Sequence, residues 1–219
     1  MTPRASLIDH TLLTPTASRE AVTTLCREAA ELGMASVCVN PVHVPLAARL
    51  LADAPVAVCT VIDFPLGASS TVSKAEQARL AVADGATEVD MVIALGAVKE
   101  HDWDYVEQDV RAVVEAAGPA ATVKVILETC LLDDEEVTRA CLCAEAAGAG
   151  FVKTSTGFST GGASVHAVGL MHAAVGGRLG VKASGGIHTP QELDALVAAG
   201  ATRIGASAGR ALLGEEARA

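Results

Sequence analysis

Short aliphatic runs alternate eight times with longer, Ala-rich stretches of helical period, and no other feature of the sequence restricts the fold as tightly. The candidate strands are residues 7–11, 36–40, 56–62, 88–93, 122–128, 151–156, 181–186 and 203–207. Helices fill the gaps. Residues 69–84 carry Val72, Ala75, Ala78, Leu80 and Val82 as an apolar stripe. Residues 133–147 open with Asp134, Glu135 and Glu136, where the positive end of a helix favours acids. Gly33, Gly85, Gly148 and Gly200 each stop a helix shortly before a strand. Such alternation implies parallel pairing through right-handed crossovers. Eight units in 219 residues sit at the small end of the range for a (β/α)8 barrel of the TIM type. An open doubly wound sheet is the alternative, and the lack of a Gly-x-Gly-x-x-Gly after the first strand counts against its dinucleotide-binding form. No linker or low-complexity stretch divides the chain, so residues 1–219 read as one domain.

The core of such a barrel must come from Ala, Val, Leu and Ile, because aromatic residues make up only 2% of a chain that is 51% hydrophobic. The formal net charge of -10 argues against a nucleic-acid or anionic-membrane partner, which requires clustered Lys and Arg. A small phosphate remains compatible, since a few oriented N–H groups hold one locally. The six cysteines form no Cys-x-x-Cys pair and have no His cluster nearby, so sequence spacing implies no metal and no cofactor. With no signal peptide and no apolar run of membrane-spanning length, a reduced cytoplasmic compartment is expected.

Alternation along each strand sorts its residues onto two faces. Val89, Met91 and Ile93 oppose Glu88, Asp90 and Val92. Val123, Val125 and Leu127 oppose Lys124, Ile126 and Glu128. Val37 and Val39 oppose Ser36, Cys38 and Asn40. The apolar faces should meet the helices and the mixed faces the lumen. This gathers Asp9, Asp90, Lys124, Glu128, Lys153 and Lys182 inside one barrel, where charges are costly unless paired. A salt-bridge network that only fills the lumen is one reading, and Lys124 fits it through an ion pair with Asp9 or Glu128. Three lysines in so small a space favour chemistry.

A lysine that attacks a carbonyl must be neutral, and lowering an ordinary lysine from about 10.4 to about 7 requires roughly 4.6 kcal/mol. A second ammonium about 4 Å away supplies roughly 4 kcal/mol at an effective dielectric of 20. Lys153 and Lys182 lie on consecutive candidate strands, as that mechanism requires. Asp90 is placed to carry protons. Glycines follow the last two strands, at Gly185, Gly186, Gly205 and Gly209, and let backbone N–H groups approach an anion. Loops after strands 7 and 8 commonly hold phosphate in this architecture. Two readings of Cys38 stand, an aldehyde-accessible thiol beside this site and an inert buried one; burial is the simpler.

These residues resemble the deoxyribose-phosphate aldolase family from Leu7 to about Gly209. Ile8-Asp9-His10-Thr11-Leu12-Leu13 is similar to the family's opening segment and Ser36-Val37-Cys38-Val39-Asn40-Pro41 to its second strand. Glu88-Val89-Asp90-Met91-Val92 resembles the stretch holding its acid. Phe151-Val152-Lys153-Thr154-Ser155-Thr156-Gly157-Phe158 resembles the Schiff-base segment, and Gly180-Val181-Lys182-Ala183-Ser184-Gly185-Gly186-Ile187 the segment with the second lysine. The resemblance implies reversible cleavage of 2-deoxy-D-ribose 5-phosphate to acetaldehyde and D-glyceraldehyde 3-phosphate. It implies a Schiff base at Lys153, a relay of Asp90 and Lys182, and phosphate held by Gly157, Gly185, Gly186, Gly205 and Ser207. Members are often homodimers, and a homodimer is the assembly expected here, although no segment marks an interface. Three positions depart from the family pattern. Phe158 stands where some members carry a phosphate-binding Lys, His188 where Arg is usual and Ala208 where a second Ser is frequent. The end of the chain, residues 214–219, lacks the terminal Tyr of some members. Two alternatives stay open: a related Schiff-base aldolase for another phosphorylated sugar or aldehyde, and a non-catalytic phosphate-binding barrel.

Overall fold

The computed structural model describes residues 4–214; the first three residues and the last five, including all of the 214–219 tail except Gly214, lie outside the described residues. Eight strands run in parallel: β1 (Ile8–Leu12), β2 (Ser36–Val39), β3 (Ala57–Ile62), β4 (Glu88–Val92), β5 (Thr122–Ile126), β6 (Phe151–Lys153), β7 (Gly180–Ser184) and β8 (Arg203–Ala206). They pair in sequence order, and β8 closes on β1 through Asp9↔Gly205 to complete a barrel. The helices between and after them are α1 (Arg19–Leu32), α2 (Val44–Leu50), α3 (Thr71–Ala83), α4 (Leu95–Lys99), α5 (Trp103–Ala117), α6 (Asp134–Ala146), α7 (Val165–Val175), α8 (Pro190–Ala198) and α9 (Gly209–Leu212). This is the (β/α)8 fold expected from the alternation. No helix among the described residues is long and apolar enough to cross a membrane.

The sequence marks most helix ends chemically. Ser18, Ser70, Asp133, Ser164 and Thr189 accept a backbone N–H at the start of α1, α3, α6, α7 and α8. Asp133 and Thr189 complete capping boxes with Glu136 and Glu192. Gly33 takes φ 65° and ends α1 in the left-handed conformation.

Outward residues of the strands, among them Val37, Val39, Val89, Met91, Val123, Val125, Val152, Val181 and Ile204, join the helices in one buried layer. Burying such aliphatic side chains is worth about 1.5–3 kcal/mol each.

The stripe assigned to α3 holds only in part. Ala78 is buried and Val82 packs against the core, but Val72 is 79% exposed and Leu80 48%, while Lys74 and Ala81, outside the stripe, are buried. The spacing 72–75–78–80–82 drifts off one helix face. The face that packs admits Lys74 because its Nζ donates to Asp109 Oδ2 of α5 at 2.7 Å and to the Val92 carbonyl at 3.1 Å.

Candidate active site

Inside the barrel the side chains are charged rather than aliphatic. Register brings them level: Asp90 pairs with Lys124 across β4 and β5, Lys153 with Lys182 across β6 and β7, and Lys182 with Arg203 across β7 and β8. Asp90 is fully buried at the centre. Its Oδ2 accepts from Lys153 Nζ and from Lys182 Nζ, each at 2.7 Å, and its Oδ1 from Lys124 Nζ at 2.8 Å. The Cys59 thiol donates to Oδ1 at 3.1 Å. Asp9 takes Lys182 on Oδ2 at 2.5 Å and Arg203 on Oδ1 at 2.6 Å. Glu88 takes Lys124 at 2.7 Å and Arg203 at 3.1 Å. Four bases therefore meet three acids.

This cluster fixes the charge states of its members. Burial alone would raise the Asp90 carboxyl; Lys124, Lys153 and Lys182 outweigh it and hold the group well below the usual carboxylate range. Asp9 is likewise raised by burial and pulled further down by Lys182, Lys124 and Arg203. Burial would lower Lys182, but Asp9 and Asp90 carry it above the ordinary lysine value. Lys124 is raised in the same way, chiefly by Asp90. Near neutrality Asp90 is a carboxylate and Lys182 an ammonium.

Above the cluster, at the ends of the strands, opens a cavity of about 560 Å³. Of the four bases only Lys153 lines it. Gly157, Gly185, Gly186, Gly205 and Ser207 all line it too, together with Thr156, Phe158, Ser184 and His188. The cavity thus carries the Lys153 side chain and a glycine-rich rim at the ends of β7 and β8.

Two glycines are demanded by close approach. A Cβ on Gly162 would lie 2.3 Å from the Gly185 carbonyl oxygen, so these loops touch backbone to backbone. A Cβ on Gly205 would lie 3.0 Å from Lys182 Cε; this residue makes room for the lysine stem as well as lining the cavity. His188 faces the cavity, but its backbone N–H is taken by Glu192 Oε2 at 2.8 Å. Phe158 packs edge-on against Phe64 with ring centres 5.3 Å apart and is 54% exposed at the mouth.

Asp9, Asp90, Lys124, Lys153 and Lys182 come together as the face analysis requires, and Lys124 pairs with Asp9 at 3.7 Å among stronger partners. Glu128 does not join them. β5 ends at Ile126, and Glu128 turns to φ 54°, which breaks the alternation. Its carboxylate accepts instead from the backbone N–H and hydroxyl of Thr156, bracing the loop that carries Gly157. The bare pair of lysines is a second correction, since the carboxylate of Asp90 lies between Lys153 and Lys182. Sequence reasoning also missed Glu88, Arg203, Cys59 and Gly162. Arg203 shares a face with Gly205, and Glu88 with Asp90, so the same alternation could have placed both in the lumen.

A closed parallel barrel with ionised groups in its lumen and a cavity at the C-terminal ends of its strands is the architecture of a (β/α)8 enzyme. Comparison with known proteins narrows the class. Residues 5–214 match the model of the DeoC/LacD family aldolases. The chain is 58% identical to deoxyribose-phosphate aldolase 1 of Cutibacterium acnes over 212 residues, covering 97% of each chain. It is 56% identical to the deoxyribose-phosphate aldolase of Listeria welshimeri over 212 residues, covering 97% of this chain and 95% of the relative. The solved deoxyribose phosphate aldolase of Aeropyrum pernix, described as a tetramer, superposes with a TM-score of 0.90 at 37% identity over 97% of this chain and 90% of that one. The protein belongs to the DeoC/LacD family of aldolases.

Proposed function

We propose that the protein cleaves 2-deoxy-D-ribose 5-phosphate reversibly to acetaldehyde and D-glyceraldehyde 3-phosphate through a Schiff base on Lys153. The observation that carries this reading is the position of Lys153: it is the one base of the cluster that faces the cavity, and its nitrogen rests on Asp90 Oδ2 at 2.7 Å. The cluster holds one base more than acids, so a free amine leaves it electrically balanced. That amine adds to C1 of the open-chain sugar to give a carbinolamine, and loss of water gives an iminium. The C2–C3 bond then breaks, its electrons passing into the iminium as an enamine, while the C3 hydroxyl proton is taken up. Glyceraldehyde 3-phosphate leaves, C2 is protonated, and hydrolysis of the new iminium frees acetaldehyde.

In this scheme Asp90 accepts and returns the protons, and Lys182 holds its carboxylate in place and donates to it. Gly157, Gly185, Gly186, Gly205 and Ser207 bind the phosphate, mainly through backbone N–H groups, because Phe158 supplies no charge at the mouth. All six cysteines are free thiols, which fits a cytoplasmic enzyme. Borohydride added with acetaldehyde should attach a two-carbon fragment to Lys153, read by peptide mass spectrometry; an unmodified Lys153 would remove the mechanism.

The exposed aromatic ring at position 158 supports a second reading, an aldolase of the same type for a different phosphorylated aldehyde or sugar. A substrate panel decides: faster turnover of another sugar phosphate than of deoxyribose 5-phosphate would select it.

A further inference from the structure

Cys38 and Cys59 are register partners on β2 and β3, both fully buried and both on the lumen side. Their sulfurs and a carboxylate oxygen of Asp90 lie within 4.8 Å of one another. The two residues stand 21 positions apart in the chain, so no short spacing motif reveals them; the barrel brings them side by side. Two sulfurs and a carboxylate oxygen are a donor set for a borderline-soft cation of filled d shell. Zinc binds sulfur at about 2.3 Å and carboxylate oxygen at about 2.0–2.2 Å, which places tetrahedral ligand atoms roughly 3.5–3.8 Å apart. Cys59 Sγ already lies 3.1 Å from Asp90 Oδ1, so in such a site side-chain rotation opens that edge slightly while the trio as a whole adjusts from within 4.8 Å to that size.

The exchange also balances in charge. Two thiol protons leave for solvent as one dication enters between two thiolates, so the net charge of the lumen is unaltered. Lys124 must yield its contacts to Asp90 Oδ1 at 2.8 Å and Cys59 Sγ at 3.2 Å, but it keeps Glu88 at 2.7 Å.

We propose that Cys38, Cys59 and Asp90 form a latent site for a thiophilic dication of the Zn2+ and Cd2+ class, and that its occupancy withdraws Asp90 from proton transfer and silences the enzyme reversibly. The loss of turnover rests on the role given to Asp90 above, whereas binding itself does not. Because the sulfurs are fully buried, the ion enters slowly and inhibition develops with time.

The test uses the reduced, metal-free full chain, titrated with Co2+ and followed by the thiolate-to-cobalt charge-transfer absorption. Zn2+ or Cd2+ is then added, with aldol cleavage measured before and after a chelator. The wild type should bind one equivalent with a cobalt–thiolate band, lose turnover progressively and recover it on chelation. Cys130→Ser, which removes the exposed thiol, should behave like the wild type. Cys38→Ser should bind at least ~100-fold more weakly, beyond the range of an outer-shell change, and resist inhibition. A wild type without the band, a band that survives Cys38→Ser, or one that disappears in Cys130→Ser overturns the site. A band lost in Cys38→Ser with turnover untouched by Zn2+ upholds the site and overturns both the inhibition and the catalytic role of Asp90.

Discussion

Lys153 and Lys182, on neighbouring strands, rest their nitrogens on the same atom, Oδ2 of Asp90, at 2.7 Å each. The two nitrogens therefore lie no farther apart than twice that length. Repulsion between them, on which the activation argument from sequence relied, is offset by the carboxylate that joins them. Lys182 thereby acts on Asp90 as much as on Lys153, and a substrate that draws Lys153 into the cavity leaves Asp90 charged, oriented and one partner short.

Replacing Asp90 with Asn tests this arrangement. The amide keeps the size of the carboxylate but withdraws the charge that faces Lys124, Lys153 and Lys182. Breaking a buried pair by removing one partner costs about 3–5 kcal/mol, and loss of a proton carrier lowers kcat by about 10²–10⁴-fold. Urea unfolding and the rate of acetaldehyde release should show both losses. A variant as active as the wild type would exclude Asp90 from proton transfer.

Arg203 separates structure from chemistry. It clamps Asp9 at 2.6 Å and Glu88 at 3.1 Å at the floor of the lumen and does not line the cavity. Arg203→Met should destabilise the fold by about 3–5 kcal/mol, since two buried carboxylates each lose a partner. The folded fraction should retain kcat within about tenfold. A loss of kcat comparable to that of Asp90→Asn, in protein shown to be folded by circular dichroism, would place Arg203 in the reaction.

The fold was legible because parallel strands buried on one face by helices leave a strong apolar alternation, and because glycines such as Gly33 and Gly148 stop the helices before the strands. Asp9, Asp90, Lys124, Lys153 and Lys182 were legible for the same reason: a period of two sends each of them inward. The failures share a cause, which is local departure from period. Glu128 leaves the strand at a positive φ, and Lys74 holds a buried helix position because Asp109 on another helix and the Val92 carbonyl accept its Nζ. Gly162 and Cys59 matter through contacts with residues distant in the chain, which spacing along one segment cannot encode.

The 185–186 loop ranks two glycines, Gly186 on the cavity lining and Gly162 packed against Gly185. Gly186 has φ 73°, but a Cβ there meets open space. Gly162→Ala instead drives a Cβ to 2.3 Å from the Gly185 carbonyl oxygen. Strain at a left-handed non-glycine residue costs about 1–3 kcal/mol, whereas the Gly162 clash must push the two loops apart. Gly162→Ala should therefore raise KM for deoxyribose 5-phosphate more than Gly186→Ala does, while KM for unphosphorylated deoxyribose changes little in either. Steady-state kinetics on the two sugars decides, and the reverse ranking would detach the 185–186 loop from phosphate binding.

The lumen charges also set how stability responds to pH. Asp9 and Asp90 titrate below their ordinary value when folded, Lys124 and Lys182 above theirs. Unfolded, they return to about 3.9 and about 10.4. As pH falls through about 4, the unfolded chain takes up protons that the folded carboxylates still refuse, so stability declines. As pH rises through about 10.4, the unfolded lysines release protons that the folded ones retain, so stability declines again. Between about pH 5 and pH 9 the contribution is whole and flat. Lys182→Met removes one of the cations that hold Asp9 and Asp90 down. The difference in unfolding free energy between wild type and variant should therefore be constant while both carboxylates stay ionised in both folded proteins, and should shrink on acidification once the less firmly held carboxylates of the folded variant take up protons, because the unfolded chains titrate alike and cancel. Urea titrations of both proteins at a series of pH values measure it; a difference that grows on acidification would mean that Lys182 does not stabilise the chain through those two carboxylates.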